Sequence, residues 1–114
     1  MNILDLIEFF PKASTIHTAF CNEFDIAPHA LETFSTYYIE SLSFKDGCPI
    51  IRAYTIYSTW CNSEMRTVYH IFGWTVSKNR IEIDDEPLNT NRFTGFDFAL
   101  SYLMNRVQVS ELKN

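Results

Sequence analysis

The apolar positions of this chain change their period along its length, and the changes mark the elements. Ile3, Leu6, Ile7 and Phe10 recur at helical spacing behind Asn2, a residue suited to capping, until Pro11 interrupts. A second helical stretch begins near Ser14, where Ile16, Ala19, Phe20 and Phe24 share a face and Thr18, Asn22 and Asp25 point elsewhere. Pro28 suits a turn, or the first position of a further helical turn through His29–Thr33.

The middle of the chain alternates. Ser35 to Phe44 is rich in aromatic and β-branched residues, and Lys45-Asp46-Gly47 is a turn signal before a second strand, Pro49 to Trp60. That pair predicts a β-hairpin. In the second strand Ile50, Tyr54, Ile56 and Trp60 fall on one face, with Ile51, Ala53, Thr55 and Tyr57 on the other. Segment 28–44 stays open between helix and strand, because Leu31, Phe34, Tyr38 and Leu42 also fit helical spacing. After a loop at Cys61-Asn62-Ser63-Glu64, a third strand from Arg66 to Ser77 carries Val68, His70, Phe72, Trp74 and Val76 on one side. Lys78-Asn79 turns into a short strand, Arg80 to Asp84, where Ile81 and Ile83 alternate with acids.

A polar loop, Leu88 to Arg92, leads to a last helix. Thr94 is its expected cap, with Asp97 completing a capping-box-like start. Phe96, Ala99, Leu100, Leu103, Met104 and Val107 form its apolar stripe, expected to pack on strand residues such as Phe72 and Trp74. The order predicts an α+β domain: N-terminal helices, an antiparallel meander of about four strands, and a C-terminal helix packed on the sheet as a second layer. At 114 residues the chain is long enough for one core and too short for two, so residues 1–114 read as a single domain.

Composition narrows the function classes. Apolar residues make up 46% and aromatics 16%, which fits a packed domain and no disordered one. No apolar run reaches the ~20 residues that span a bilayer. Asp5 and Glu8 stand where a signal peptide carries a basic head, so the expected location is the cytoplasm. Cys21, Cys48 and Cys61 agree with a reducing compartment. Cys48 and Cys61 bracket a strand that holds them about 40 Å apart, beyond disulfide reach.

The net charge is −5, and residues 1–46 alone hold seven acids against Lys12 and Lys45. Direct nucleic-acid binding needs a basic surface, which this chain lacks; an acidic domain instead suits a basic protein partner.

Candidate chemistry is sparse. His17 and Cys21 stand four apart, as two metal ligands on one helix face would. The remaining ligands would have to come from Cys48, Cys61, His29 or His70 on separate elements, so no metal and no cofactor is expected. His70, amid aromatics, reads as a half-buried histidine more readily than as a general base. The cysteines show no basic neighbour in sequence that would stabilise a thiolate. Gly47, Gly73 and Gly95 are isolated and build no phosphate-cradling loop. No enzyme motif is present, and the chain is read as a non-enzyme.

The sharpest local feature is the run from Ile81 to Pro87, with Glu82, Asp84, Asp85 and Glu86 in five residues. Held together these acids repel, unless a cation or a basic partner relieves them. They also fit a simpler role as charge that keeps an edge strand from pairing. Six Tyr and two Trp, concentrated in the strands, add residues that favour protein interfaces.

In size, acidity, α+β character and lack of catalytic motifs, the whole chain resembles bacterial toxin-immunity proteins of the contact-dependent growth inhibition type. The resemblance implies tight binding to a cognate toxin domain, often a basic nuclease, by covering its active site or an adjoining surface. Glu82, Asp84, Asp85 and Glu86 are the residues expected opposite its basic groups. Two other readings stand beside it. A phage-type inhibitor of a host nuclease complex would use the same acidity. A small-molecule-binding or enzymatic cone-shaped domain would enclose a pocket near His70, Tyr54, Trp60 and Trp74.

Overall fold

A computed structural model describes residues 10–26, 36–78, 80–89 and 92–113. Helix α1 spans Ala13–Phe24 and helix α2 spans Phe96–Arg106. The strands are β1 (Thr36–Lys45), β2 (Cys48–Cys61), β3 (Arg66–Ser77), β4 (Arg80–Ile83) and β5 (Ser110–Lys113). The expected helix over residues 2–10 and the turn at 28–33 lie outside the described residues, apart from Phe10 at the helix's end.

Strands β1 to β4 form the predicted antiparallel meander. Lys45 pairs with Cys48 across a two-residue loop in which Asp46 (φ 52°) and Gly47 (φ 79°) are both left-handed. Two such residues make the tight turn whose twist matches that of its strands, and a glycine adopts this conformation at no steric cost. From Thr36 to Phe44 the strand reading holds over the helical one, because pairing with β2 from Tyr38 onward, and with β5 at Thr36 and Tyr37, engages the backbone there. A fifth strand, absent from the sequence expectation, pairs antiparallel with β1 and gives the order β4-β3-β2-β1-β5.

The outer edge of β3 is completed by loop residues where β4 ends. Asp84 N–H donates to the Gly73 carbonyl, and Leu88 N–H to that of Ile71. The Ile71 N–H in turn donates to Asn89 Oδ1 at 2.9 Å, and Phe93 bridges Tyr69.

Alternation along the strands separates two cores. Ile39, Ile51, Ala53, Phe72 and Trp74 pack with Ile16, Phe20 and Cys21 of α1. Tyr38, Tyr54, Ile56 and Ile71 lie on the opposite face and pack with Ala99 and Leu103 of α2. The sheet is therefore the middle of three layers, where two were expected. The apolar stripe of α2 meets Ile56 and Ile71 rather than Phe72 and Trp74. Leu103 is fully buried and Leu100 partly buried, whereas Phe96 and Met104 are 41% and 44% exposed. The N-cap of α2 is Gly95, without a side-chain cap bond, so Thr94 does not cap it.

Tyr37 donates its hydroxyl to the Pro11 carbonyl at 2.7 Å and ties the start of α1 to β1. Asp25, left-handed at φ 52°, ends the helix, and the Ile26 N–H returns to the Cys21 carbonyl.

Candidate protein-binding site

The four acids of the 82–86 run occupy unlike positions. Glu82 is exposed on edge strand β4, with Arg80 Nε 3.5 Å from its carboxylate. Asp84 turns inward to the α2 side of the sheet and takes both terminal nitrogens of Arg52, at 3.0 and 2.7 Å. Asp85 and Glu86 are exposed in the loop that follows. The run thus divides into one internal counter-ion and three acids at the margin.

Arg52 is the centre of a network that crosses three strands. Its Nη1 also donates to Thr75 Oγ1 at 3.4 Å, and its Nε lies 3.8 Å from Glu40. The guanidinium carbon sits 5.0 Å from the centroid of the Tyr54 ring, and the Tyr54 hydroxyl donates to Glu40 Oε2 at 3.1 Å. The hydrogen bond to Asp84 raises the pKa of Arg52 still further, against the opposing effect of burial. Burial pushes the Tyr54 phenol up, while Arg52 pulls the other way. Both ions of the Arg52–Asp84 pair are partly exposed, so it contributes no more than about 1 kcal/mol to stability. Its value is geometric: it fixes where the charges stand.

Gly73 makes room for this pair. A Cβ there would collide with the guanidinium of Arg52 and the carboxylate of Asp84. An isolated glycine inside a strand is the sequence signal of such a close approach. The partners Arg52 and Glu40 leave no such trace, because contacts 12 to 32 residues apart depend on strand register.

At the other end of the sheet, Arg92 reaches Cys61 Sγ with Nη1 at 3.2 Å, and Ser63 Oγ lies 3.3 Å from the same sulfur. Bonds from Ser63 and the Glu64 backbone hold the thiol below its ordinary value. The basic neighbour sought in the sequence around Cys61 comes instead from 31 residues along the chain. All three cysteines are free, with Cys48 and Cys61 at opposite ends of β2. His17 Nε2 lies 3.9 Å from Cys21 Sγ on α1, and among the described residues no three His, Cys, Asp or Glu side chains group as metal ligands.

His70 is partly buried and stacks on Tyr57, with ring centroids 5.6 Å apart. Burial, with Arg92 nearby, holds it below the usual histidine value, and burial pushes Tyr57 up to about 12. The residues expected around a pocket do not converge. His70 and Trp74 face α1, with Trp74 fully buried and donating to Thr55 Oγ1 at 2.9 Å. Tyr54 faces α2, and Trp60, on the Tyr54 side of β2, is 55% exposed. They therefore cannot line one cavity.

Comparison with protein-family models, with curated proteins and with solved structures finds no match to this chain. Among the described residues, no helix is long and apolar enough to cross a membrane.

Proposed function

We propose that this protein is an inhibitor of the immunity type, which binds a cognate basic toxin domain and neutralises it by covering its active site or an adjoining surface. The observation that carries the reading is the exposure of Glu82, Asp85 and Glu86 together along the margin of the sheet. Carboxylates in that position steer a basic partner and complement it on contact. A nuclease is the favoured class of partner. Its own substrate is a polyanion, so its active-site surface must be basic and an acidic protein can occupy it.

The test is purification of the native complex, followed by assay of the partner's activity with and without this protein. The expected result is a stable complex in which the partner's activity is lost. A partner that stays fully active in the complex would reject inhibition. A small ligand as the sole bound species would reject the protein-binding reading altogether.

A further inference from the structure

We infer that the outer edge of β4 pairs antiparallel with the same edge of a second copy of this chain, about a two-fold axis at Ile81. The inference stands apart from the immunity reading and holds or fails without it. Strand β4 is the outermost of the sheet, beyond β3. Asp84 N–H donates to the Gly73 carbonyl, which makes these two residues a hydrogen-bonded pair; by alternation Thr75–Glu82 and Ser77–Arg80 are hydrogen-bonded pairs as well. The N–H and carbonyl groups of Ile81 and Ile83 therefore point away from β3, and no hydrogen bond among the described residues takes them up. Such a row of outward donors and acceptors is complementary to another extended backbone.

Charge on an edge can also forbid pairing, and here its order selects the occupant. Ile81 and Ile83 turn to the α1 side, so Arg80 and Glu82 share the opposite face, 3.5 Å apart, with side chains 79% and 64% exposed. Acids alone would repel a second copy in every register. A base and an acid two residues apart do so only in some. With Glu82 on the axis it would face itself, and with Ile83 on the axis it would face Asp84; like charges directly opposite are destabilising. With Ile81 on the axis, Arg80 of each copy lies opposite Glu82 of the other, twice per dimer, in the pair type whose side chains approach most closely. The two Ile81 residues then exchange both of their N–H to carbonyl bonds, and their side chains meet on the α1 side. Helix α1 leaves this approach open: beside Ile81 it presents the short side chains of Thr15, Thr18 and Asn22 around a groove of about 430 Å³. Asp85 and Glu86 lie beyond Ile83, outside the paired segment, and stay available to a basic partner.

Sedimentation velocity over a range of protein concentrations, combined with a charge swap, tests the pairing. Wild type should show a reversible monomer–dimer equilibrium. Glu82→Arg sets a base against Arg80 of the other copy, and Arg80→Glu sets an acid against Glu82. Both side chains are mostly exposed, so each variant should fold, as checked by circular dichroism. Each alone should dimerise about tenfold more weakly than wild type, because the altered pair occurs twice per dimer. Mixed in equal amounts, the two variants should recover the wild-type affinity, since both cross-strand pairs of that heterodimer are again of opposite charge. A wild-type chain that stays monomeric up to about 1 mM would overturn the inference and leave the edge to a strand of another protein. A dimer that both single variants form as tightly as wild type, or a mixture no tighter than its components, would overturn it by placing the contact elsewhere.

Discussion

Asn89 does the work of a strand residue from within a loop. Its Oδ1 accepts the N–H of Ile71 where β4 no longer runs alongside β3, and the side chain is 98% shielded, with a relative exposure of 2%. Asn89→Ala removes the acceptor and leaves a buried donor, which should cost about 1–3 kcal/mol in denaturant unfolding. A loss near zero would mean that another group satisfies Ile71. His70 makes a second residue-scale prediction. Burial and Arg92 lower its pKa in the folded state, so as pH falls below 6.5 the unfolded chain takes up this proton first. Its contribution to stability is complete above 6.5 and is lost as pH falls through the window between 6.5 and the depressed value. His70→Phe keeps a ring against Tyr57 and removes the titration. Its stability should vary less than that of wild type between about pH 7 and 5; equal slopes in the two proteins would remove His70 as the cause.

At the scale of elements, α2 shows how far periodicity reads. Its stripe was legible as Phe96, Ala99, Leu100, Leu103 and Met104, but a straight helix on a twisted sheet buries only the centre of such a stripe. Ala99 and Leu103 have no exposed surface, while Phe96 and Met104 flank them in solvent. Leu103→Ala should therefore cost about 2–5 kcal/mol as a buried truncation, and Met104→Ala under about 1 kcal/mol. Comparable losses at the two positions would mean that α2 is rotated about its axis relative to the sheet. The strand β5 escaped sequence reading for a different reason. Ser-Glu-Leu-Lys has neither the length nor the alternation of a strand, and its assignment follows from the unpaired edge of β1 beside it.

For the whole molecule, the proposed binding rests on charge, and the structure divides it. Asp85→Asn with Glu86→Gln removes exposed acids that take part in no ion pair among the described residues, so the variant should fold as wild type does. It should associate more slowly with the purified partner, and its association rate should depend less on salt. Asp84→Asn differs in kind, because it breaks the pair with Arg52 and disturbs the placement of Glu40. Measured by stopped-flow at two salt concentrations, an unchanged rate for the double variant would reduce Asp85 and Glu86 to protection of the sheet edge.

The sequence by itself determined the local structure: two described helices, the hairpin turns and the four-strand meander follow from apolar period, Asp46-Gly47 and the β-branched runs, all of which act within a few residues. It also determined the excess of acid and the absence of any catalytic motif. Only the tertiary structure decided which face each helix covers, because both faces of β2 and β3 are apolar enough to bury and period two distinguishes the faces without saying what lies on them. It likewise decided that Asp84 belongs to Arg52, that Glu40 is re-aimed by a bulge, and that Arg92 meets Cys61. Each of these is a contact between distant residues, created when strand register brings their side chains within a few ångströms.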